Sequence, residues 1–299
     1  MFEKILLPLD GSELAELALP YAEELARALG SEVVLYNVRG HEHPQQEHMH
    51  QVYLDRLAES VRRNIKNGRP EGTEVRVTTR VDAGEPTENI CNLVDKSKLD
   101  LIVMTAVSAS GLRIGKTLGS VSDHVCRTVP IPVMLVRVQG VRRTDGKNRL
   151  INRILMPLDG SELSRLALPV GEELAAKLRV SVTLFQMANR IRPQVDAMGS
   201  GAYIDYTRFD EAEEQRVSAE MFALEAELKG RGLDITQIVT SGSDAAAAII
   251  EASKKIGADL VVMSTNGRSG LGRWVFGNVA EKVLRHGEIP LLLVHARAG

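Results

Sequence analysis

Residues 5–20 read ILLPLDGSELAELALP, and residues 154–169 read ILMPLDGSELSRLALP. Thirteen of 16 positions are identical at a constant offset of 149. Chance does not produce such a match, and a period this long marks two whole domains in tandem instead of a solenoid of small repeats. Within each copy the stretch is a short apolar run, an Asp-Gly-Ser turn and a helical pattern, with Ser12 and Ser161 placed as N-caps.

Working outward, further matches keep the same order. Leu35-Tyr-Asn-Val38 parallels Leu184-Phe-Gln-Met187, Gly84 parallels Gly242, Asp100-Leu-Ile-Val-Met104 parallels Asp259-Leu-Val-Val-Met263, and Pro132-Val-Met-Leu-Val136 parallels Pro290-Leu-Leu-Leu-Val294. In the first copy the periodicity predicts strands at 3–9, 32–38, 74–80, 100–105 and 132–138, with helices at 12–29, near 46–67, at 86–97 and at 119–127. The second copy predicts strands near 152–158, 180–187, 233–239, 259–264 and 290–295. Strict alternation of strand and helix is the α/β class. The expected fold is two tandem doubly wound parallel-sheet domains, Rossmann-like with five strands each, at 1–140 and 151–299, joined by a polar linker at 141–150.

In such sheets ligands bind beyond the carboxyl ends of the strands, where strand order reverses. Residues 263–279, MSTNGRSGLGRWVFGNV, run from the end of a buried strand into a helix. Gly267, Gly270, Gly272 and Gly277 allow close backbone approach to a ligand. The helix that opens at Gly277-Asn278 turns free N–H groups and its positive dipole end toward an anion. Arg268 and Arg273 add cationic donors. If strands 1 and 4 flank the switch point, Asp159 faces the same crevice and accepts from ribose hydroxyls. The competing reading makes Asp10 and Asp159 turn residues alone, without partnership to the glycine loop.

Composition narrows the ligand. A net charge of −2 offers no global attraction to nucleic acid, and 4% aromatic content supplies no stacking platform for it. The expected ligand is therefore a small molecule. No run approaches the roughly 18 apolar residues of a membrane span, and the first residues enter a strand directly, with no signal-peptide pattern. Cys91 and Cys126 lack metal spacing and read as reduced thiols, so a cytoplasmic location without membrane partners is expected.

These stretches together resemble the universal stress protein family, and in particular its tandem members. The family's nucleotide motif runs Gly, two residues, Gly, nine residues, then Gly-Ser or Gly-Thr. In the second copy nine residues separate Gly267 from Gly277, while Ser264 stands at the first glycine and Asn278 at the hydroxyl position. The resemblance implies that Asp159 binds ribose, that the Met187 backbone meets adenine, and that Ser264, Gly267, Arg268, Gly277 and Asn278 surround the phosphates. It implies ATP or AMP, with magnesium as a companion ion, bound in a stress-response regulatory role with little or no turnover. The alternative is a slow ATP hydrolase using the nucleotide as a switch. The first copy keeps Asp10, Val38, Gly119 and Ser120, but Thr105 and Ser108 replace the early glycines and ten residues separate Ser108 from Gly119. Weak binding or none is expected there.

Rival motifs fare worse. Residues 110–117, SGLRIGKT, are one substitution from a P-loop with Lys116 and Thr117 on phosphate and magnesium, but the second copy has no Gly-Lys-Thr and no acidic magnesium partner stands out. His41, His43, Glu47 and His50 suggest a metal site, yet Pro44 interrupts them and the second copy lacks them. Trp274 is read as packing its loop against a helix. No Gly-x-Ser-x-Gly elbow is present. The last strands are apolar edges that need covering, so the copies are expected to pack on each other and the chain to form a homodimer as well.

Overall fold

Each apolar run bounded by turn residues becomes a strand, and the strands of both copies join one sheet. The computed structural model describes residues 2–40, 47–67, 76–106, 118–137, 149–189, 207–265 and 276–295. The first half runs β1 (Lys4–Pro8), α1 (Glu13–Glu16), α2 (Leu19–Leu29), β2 (Glu32–Arg39), α3 (Glu47–Lys66), β3 (Val77–Ala83), α4 (Pro86–Lys96), β4 (Leu101–Thr105), α5 (Ser120–Thr128) and β5 (Val133–Val136). The second half repeats it as β6 (Arg153–Leu158), α6 (Glu162–Arg165), α7 (Leu168–Leu178), β7 (Ser181–Asn189), α8 (Thr207–Gly230), β8 (Ile235–Gly242), α9 (Ala245–Ile256), β9 (Leu260–Ser264), α10 (Asn278–His286) and β10 (Leu291–Val294).

Strand order is β3-β2-β1-β4-β5-β10-β9-β6-β7-β8. Pairing is parallel within each half. Between the halves β5 and β10 pair antiparallel, with Leu135 opposite Leu291, Met134 opposite Leu292 and Val133 opposite Leu293. The expected covering of the two apolar edges is thus achieved inside the chain. Order reverses between β1 and β4, and again between β6 and β9, so each half has one switch point. Apolar side chains fill a layer on each face of the sheet, and both layers run across the seam.

Two expectations are corrected. The helix predicted at 12–29 is two helices, α1 and α2, and the same break separates α6 from α7. Pro20 and Pro169 lack the N–H that a continuous helix would use, so each is accommodated in the first turn of a fresh helix. The third strands run later than predicted, at 77–83 and 235–242. β3 stays bonded to β2 as far as Ala83 opposite Arg39. On a half-solvated edge the apolar alternation fades before the hydrogen-bonded ladder does.

The halves also meet through helices, with α2 packed on α7. The buried Glu24 of α2 accepts from the backbone N–H of Leu150 at 2.7 Å and Ile151 at 3.1 Å, clasping the chain where the second half begins. Burial pushes its carboxyl above the usual range, against the pull of those donors. Beside it, Glu23 is buried against Asn64 Nδ2 at 3.0 Å, and desolvation raises its pKa to about 7.

The sign of the Glu23 effect follows from that rise. Its contribution to stability is fully present below the unfolded carboxyl pKa and is lost as pH climbs through about 7. Glu23→Gln keeps the acceptor for Asn64 and never ionises. It is expected to match wild type in denaturant unfolding near pH 4.5 and to exceed it near pH 8, by up to about 3 kcal/mol. An equal difference at both pH values would show that folding does not raise the Glu23 pKa.

Candidate functional site

In the second half the carboxyl ends of β6 and β9 open on a cavity of about 260 Å³. Its floor is apolar, from Phe185 and Met187 on β7, Ile249 on α9 and Met263 on β9. Phe185 and Met187 are two residues apart on a strand, so they share a face. The rim is polar. Asp159 stands at the end of β6, Ser264 and Thr265 at the end of β9, and Gly277 and Asn278 at the start of α10.

Local chemistry fixes these positions. Asp159 Oδ1 accepts from Ser161 N at 2.9 Å and Ser161 Oγ at 2.6 Å, and Ser161 Oγ in turn accepts from Ser164 N at 3.1 Å. This is an Asx turn running into a helix N-cap. The turn reading of Asp159 is therefore correct, and it coexists with a place in the cavity wall instead of excluding one. Gly277 N donates to Thr265 O at 2.9 Å, holding the start of α10 beside the end of β9. Gly277 is the N-cap of α10 and offers no side chain to its first N–H groups. At the outer side Lys282 reaches Asp244, the cap of α9, at 3.3 Å. The N–H of Ala247, and next Lys282, hold the Asp244 carboxyl below its ordinary range.

Of the residues singled out in the sequence, Asp159, Met187, Ser264, Gly277 and Asn278 line this one cavity. Gly267, Arg268, Arg273 and Trp274 lie outside the described residues, as do residues 110–117, His41, His43 and linker residues 141–148. Phe185, Ile249 and Thr265 escaped the motif reading. The alternation along β7 points to Phe185, whereas nothing local in α9 marks Ile249 as a cavity residue.

The equivalent first-half cavity is about 110 Å³, less than half as large. Asp10, Val38 and Gly119 line it as expected. Ser120 does not; it opens α5 with an exposed side chain, and Val121 and Ser122 turn to the cavity instead. Tyr36 stands where the second half has Phe185. Its hydroxyl donates to Asp82 Oδ2 at 2.8 Å, and burial, then Asp82, pushes the phenol well above its ordinary range. Pro86 and Ile90 close the remaining side.

The Universal stress protein family model matches residues 1–137 and again residues 151–295. The chain belongs to the universal stress protein family. It carries the family domain twice. A universal stress protein of Methanocaldococcus jannaschii is 31% identical over 152 residues, covering 50% of this chain and 85% of that protein. One from Mycobacterium tuberculosis is 26% identical over 208 residues, covering 70% of this chain and 66% of that protein. Among solved structures, a universal stress protein of Archaeoglobus fulgidus superposes with a TM-score of 0.65 at 19% identity, over 98% of both chains. A functionally unknown protein of Pseudomonas aeruginosa superposes with a TM-score of 0.70 at 19% identity, over 98% of this chain and 92% of that one. At that identity the two structures establish the fold.

The matched Asx turns carry a stability prediction. Asp10 Oδ1 accepts from Ser12 N at 3.0 Å and Ser12 Oγ at 2.6 Å, the same bonds as Asp159. Asp10→Ala and Asp159→Ala are each expected to lower unfolding free energy by about 1–2 kcal/mol. Urea titration followed by circular dichroism measures both, and a cost confined to one of them would break the equivalence.

Proposed function

We propose that the second-half cavity binds an adenine nucleotide, ATP or AMP, and that the protein uses the bound nucleotide as a regulatory state in a stress response. The observation that carries this reading is the placement of Asp159 and the uncapped start of α10 on one apolar cleft at the switch point. The purine would lie on Phe185, Met187 and Ile249, the ribose hydroxyls would donate to Asp159, and the phosphates would meet the N–H groups beyond Gly277. Asn278 would add an amide donor there. Magnesium would neutralise the phosphates from the solvent side.

Hydrolysis needs a water held in line and neutralisation of the charge that develops. From residue 263 to residue 279 the sequence has no carboxylate, and in this reading Asp159 serves the ribose. Turnover is accordingly slow, on the order of minutes or longer, against roughly 1–100 per second for kinases. The first-half cavity is too small and too altered in sequence to be an equal site. Association with a second chain has no free edge at the seam to drive it, since β5 and β10 satisfy each other. No described helix is long and apolar enough to cross a membrane, and we infer work in the cytoplasm.

Isothermal titration with ATP is expected to give close to one site per chain. Asp159→Ala should weaken that binding by about tenfold or more, the scale of a charged hydrogen-bond acceptor lost from a binding site, while Asp10→Ala leaves it nearly unchanged. Two equal sites, or equal losses from the two substitutions, would overturn the assignment. ATP incubated with equimolar protein and magnesium should remain largely intact after about an hour, the window set by the slow-turnover argument.

A further inference from the structure

Helices α5 and α10 each open at the cavity of their own half and run back to the seam, where they meet. Arg127, in the last turn of α5, is the side chain that joins them. Its Nε donates to both Asp123 carboxylate oxygens at 3.1 Å, and its Nη2 reaches Glu281 on α10 at 2.8 and 3.0 Å. The same guanidinium lies over the ring of Phe276, 4.9 Å from its centroid. Phe276 is buried and meets His295 edge-on at 6.5 Å.

Phe276 and Glu281 are not arbitrary positions. Phe276 immediately precedes Gly277, the N-cap of α10, and Glu281 N donates to Gly277 O at 2.9 Å. Arg127 therefore grips the chain on both sides of the residue that begins the anion-binding helix end, from a helix of the other half. The arrangement is one-sided. With Gly119 aligned to Gly277, the first-half counterpart of Phe276 is Leu118, which offers a cation no ring face, and the counterpart of Arg127 is Arg285. Arg285 bonds Glu281 of its own helix at 2.6 Å.

We propose that Arg127 is a positioning residue for the phosphate end of the second-half cavity, so that the first half, with its smaller cavity, braces the site of the second. This rests on the nucleotide reading of that cavity and specifies how it is held. A helix N-terminus binds an anion well only when its N–H groups are fixed in direction, and Arg127 supplies the fixing through Phe276 and Glu281. The brace acts on the phosphate end and leaves the Phe185–Met187 floor untouched.

Titrations of the full chain with ATP, AMP and adenosine test this. Arg127→Ala is expected to weaken ATP and AMP by about tenfold, and adenosine by less than about twofold, the scale of losing one partly desolvated cation–π contact with its ion pair. Arg127→Lys, which keeps the cation over the ring without the fork, should recover part of the loss. Phe276→Leu installs the first half's own residue, serves if the alanine variant folds poorly, and should cost a comparable factor, with the double substitution costing no more than either alone. In the absence of nucleotide, amide hydrogen exchange of the peptide spanning Gly277 should quicken in Arg127→Ala. Equal losses for ATP and adenosine, additive losses in the double variant, or unchanged exchange at Gly277 would each overturn the brace. If the wild-type chain binds none of the three ligands, the nucleotide reading falls by itself, and exchange at Gly277 still decides whether Arg127 holds the helix start.

Discussion

The antiparallel pairing of β5 with β10 is the constraint on which the rest of the structure depends. Every residue of either strand is buried, and an isolated half would leave an apolar row of unpaired N–H and C=O groups facing water. Each Leu, Met or Val covered there gains roughly 1.5–3 kcal/mol over exposure. Because one chain carries both edges, the pairing is intramolecular and its entropic cost is that of closing a loop. The edges left over are β3 and β8, whose residues are mostly half-exposed and polar.

The seam also completes two helix ends. The Cys126 carbonyl has no helical partner four residues on, because Pro130 has no N–H. His295, the first residue past β10, reaches it with Nε2 at 2.6 Å while Nδ1 lies 3.1 Å from Ile131 O. Arg137, the first residue past β5, donates to Leu284 O near the end of α10. Equivalent positions of the two halves thus reach across to the final helix of the opposite half. Cationic or polar donors are suited to the negative end of a helix dipole, although burial lowers the pKa of His295.

Duplication left the scaffold matched and let the cavities diverge. Asp100 accepts from the N–H groups of Glu3 and Lys4, and Asp259 does the same for Asn152 and Arg153, so each half anchors the start of its first strand alike. The Asx turns at Asp10 and Asp159 are equally matched. The cavity walls differ instead, through Tyr36 against Phe185 and through Pro86 against Ala245, while Ile90 and Ile249 match. Backbone-directed bonds are shared because both halves need the same strand and turn geometry. A wall facing a ligand has no such obligation.

The sequence by itself determined the duplication, the alternation of strand and helix, and the Ser12 and Ser161 caps, and, given the strand order, the meeting of Asp159 with residues 263–265 and 277–279, because each rests on a local spacing or on a rule about strand order. It placed Met187, Ser264, Gly277 and Asn278 by motif. It missed the helix breaks before Pro20 and Pro169, where the apolar period runs through the break, and misplaced the third strands, whose outer faces are polar. Tertiary structure alone decided the remainder. Ile249 enters the cavity through the packing of α9, Ser120 is turned away by its position on α5, and Arg127 meets Phe276 across 149 residues of chain. The first two depend on how a helix packs on its own half, and the third on how the halves join at β5 and β10 within one sheet; no periodicity along the chain encodes either geometry.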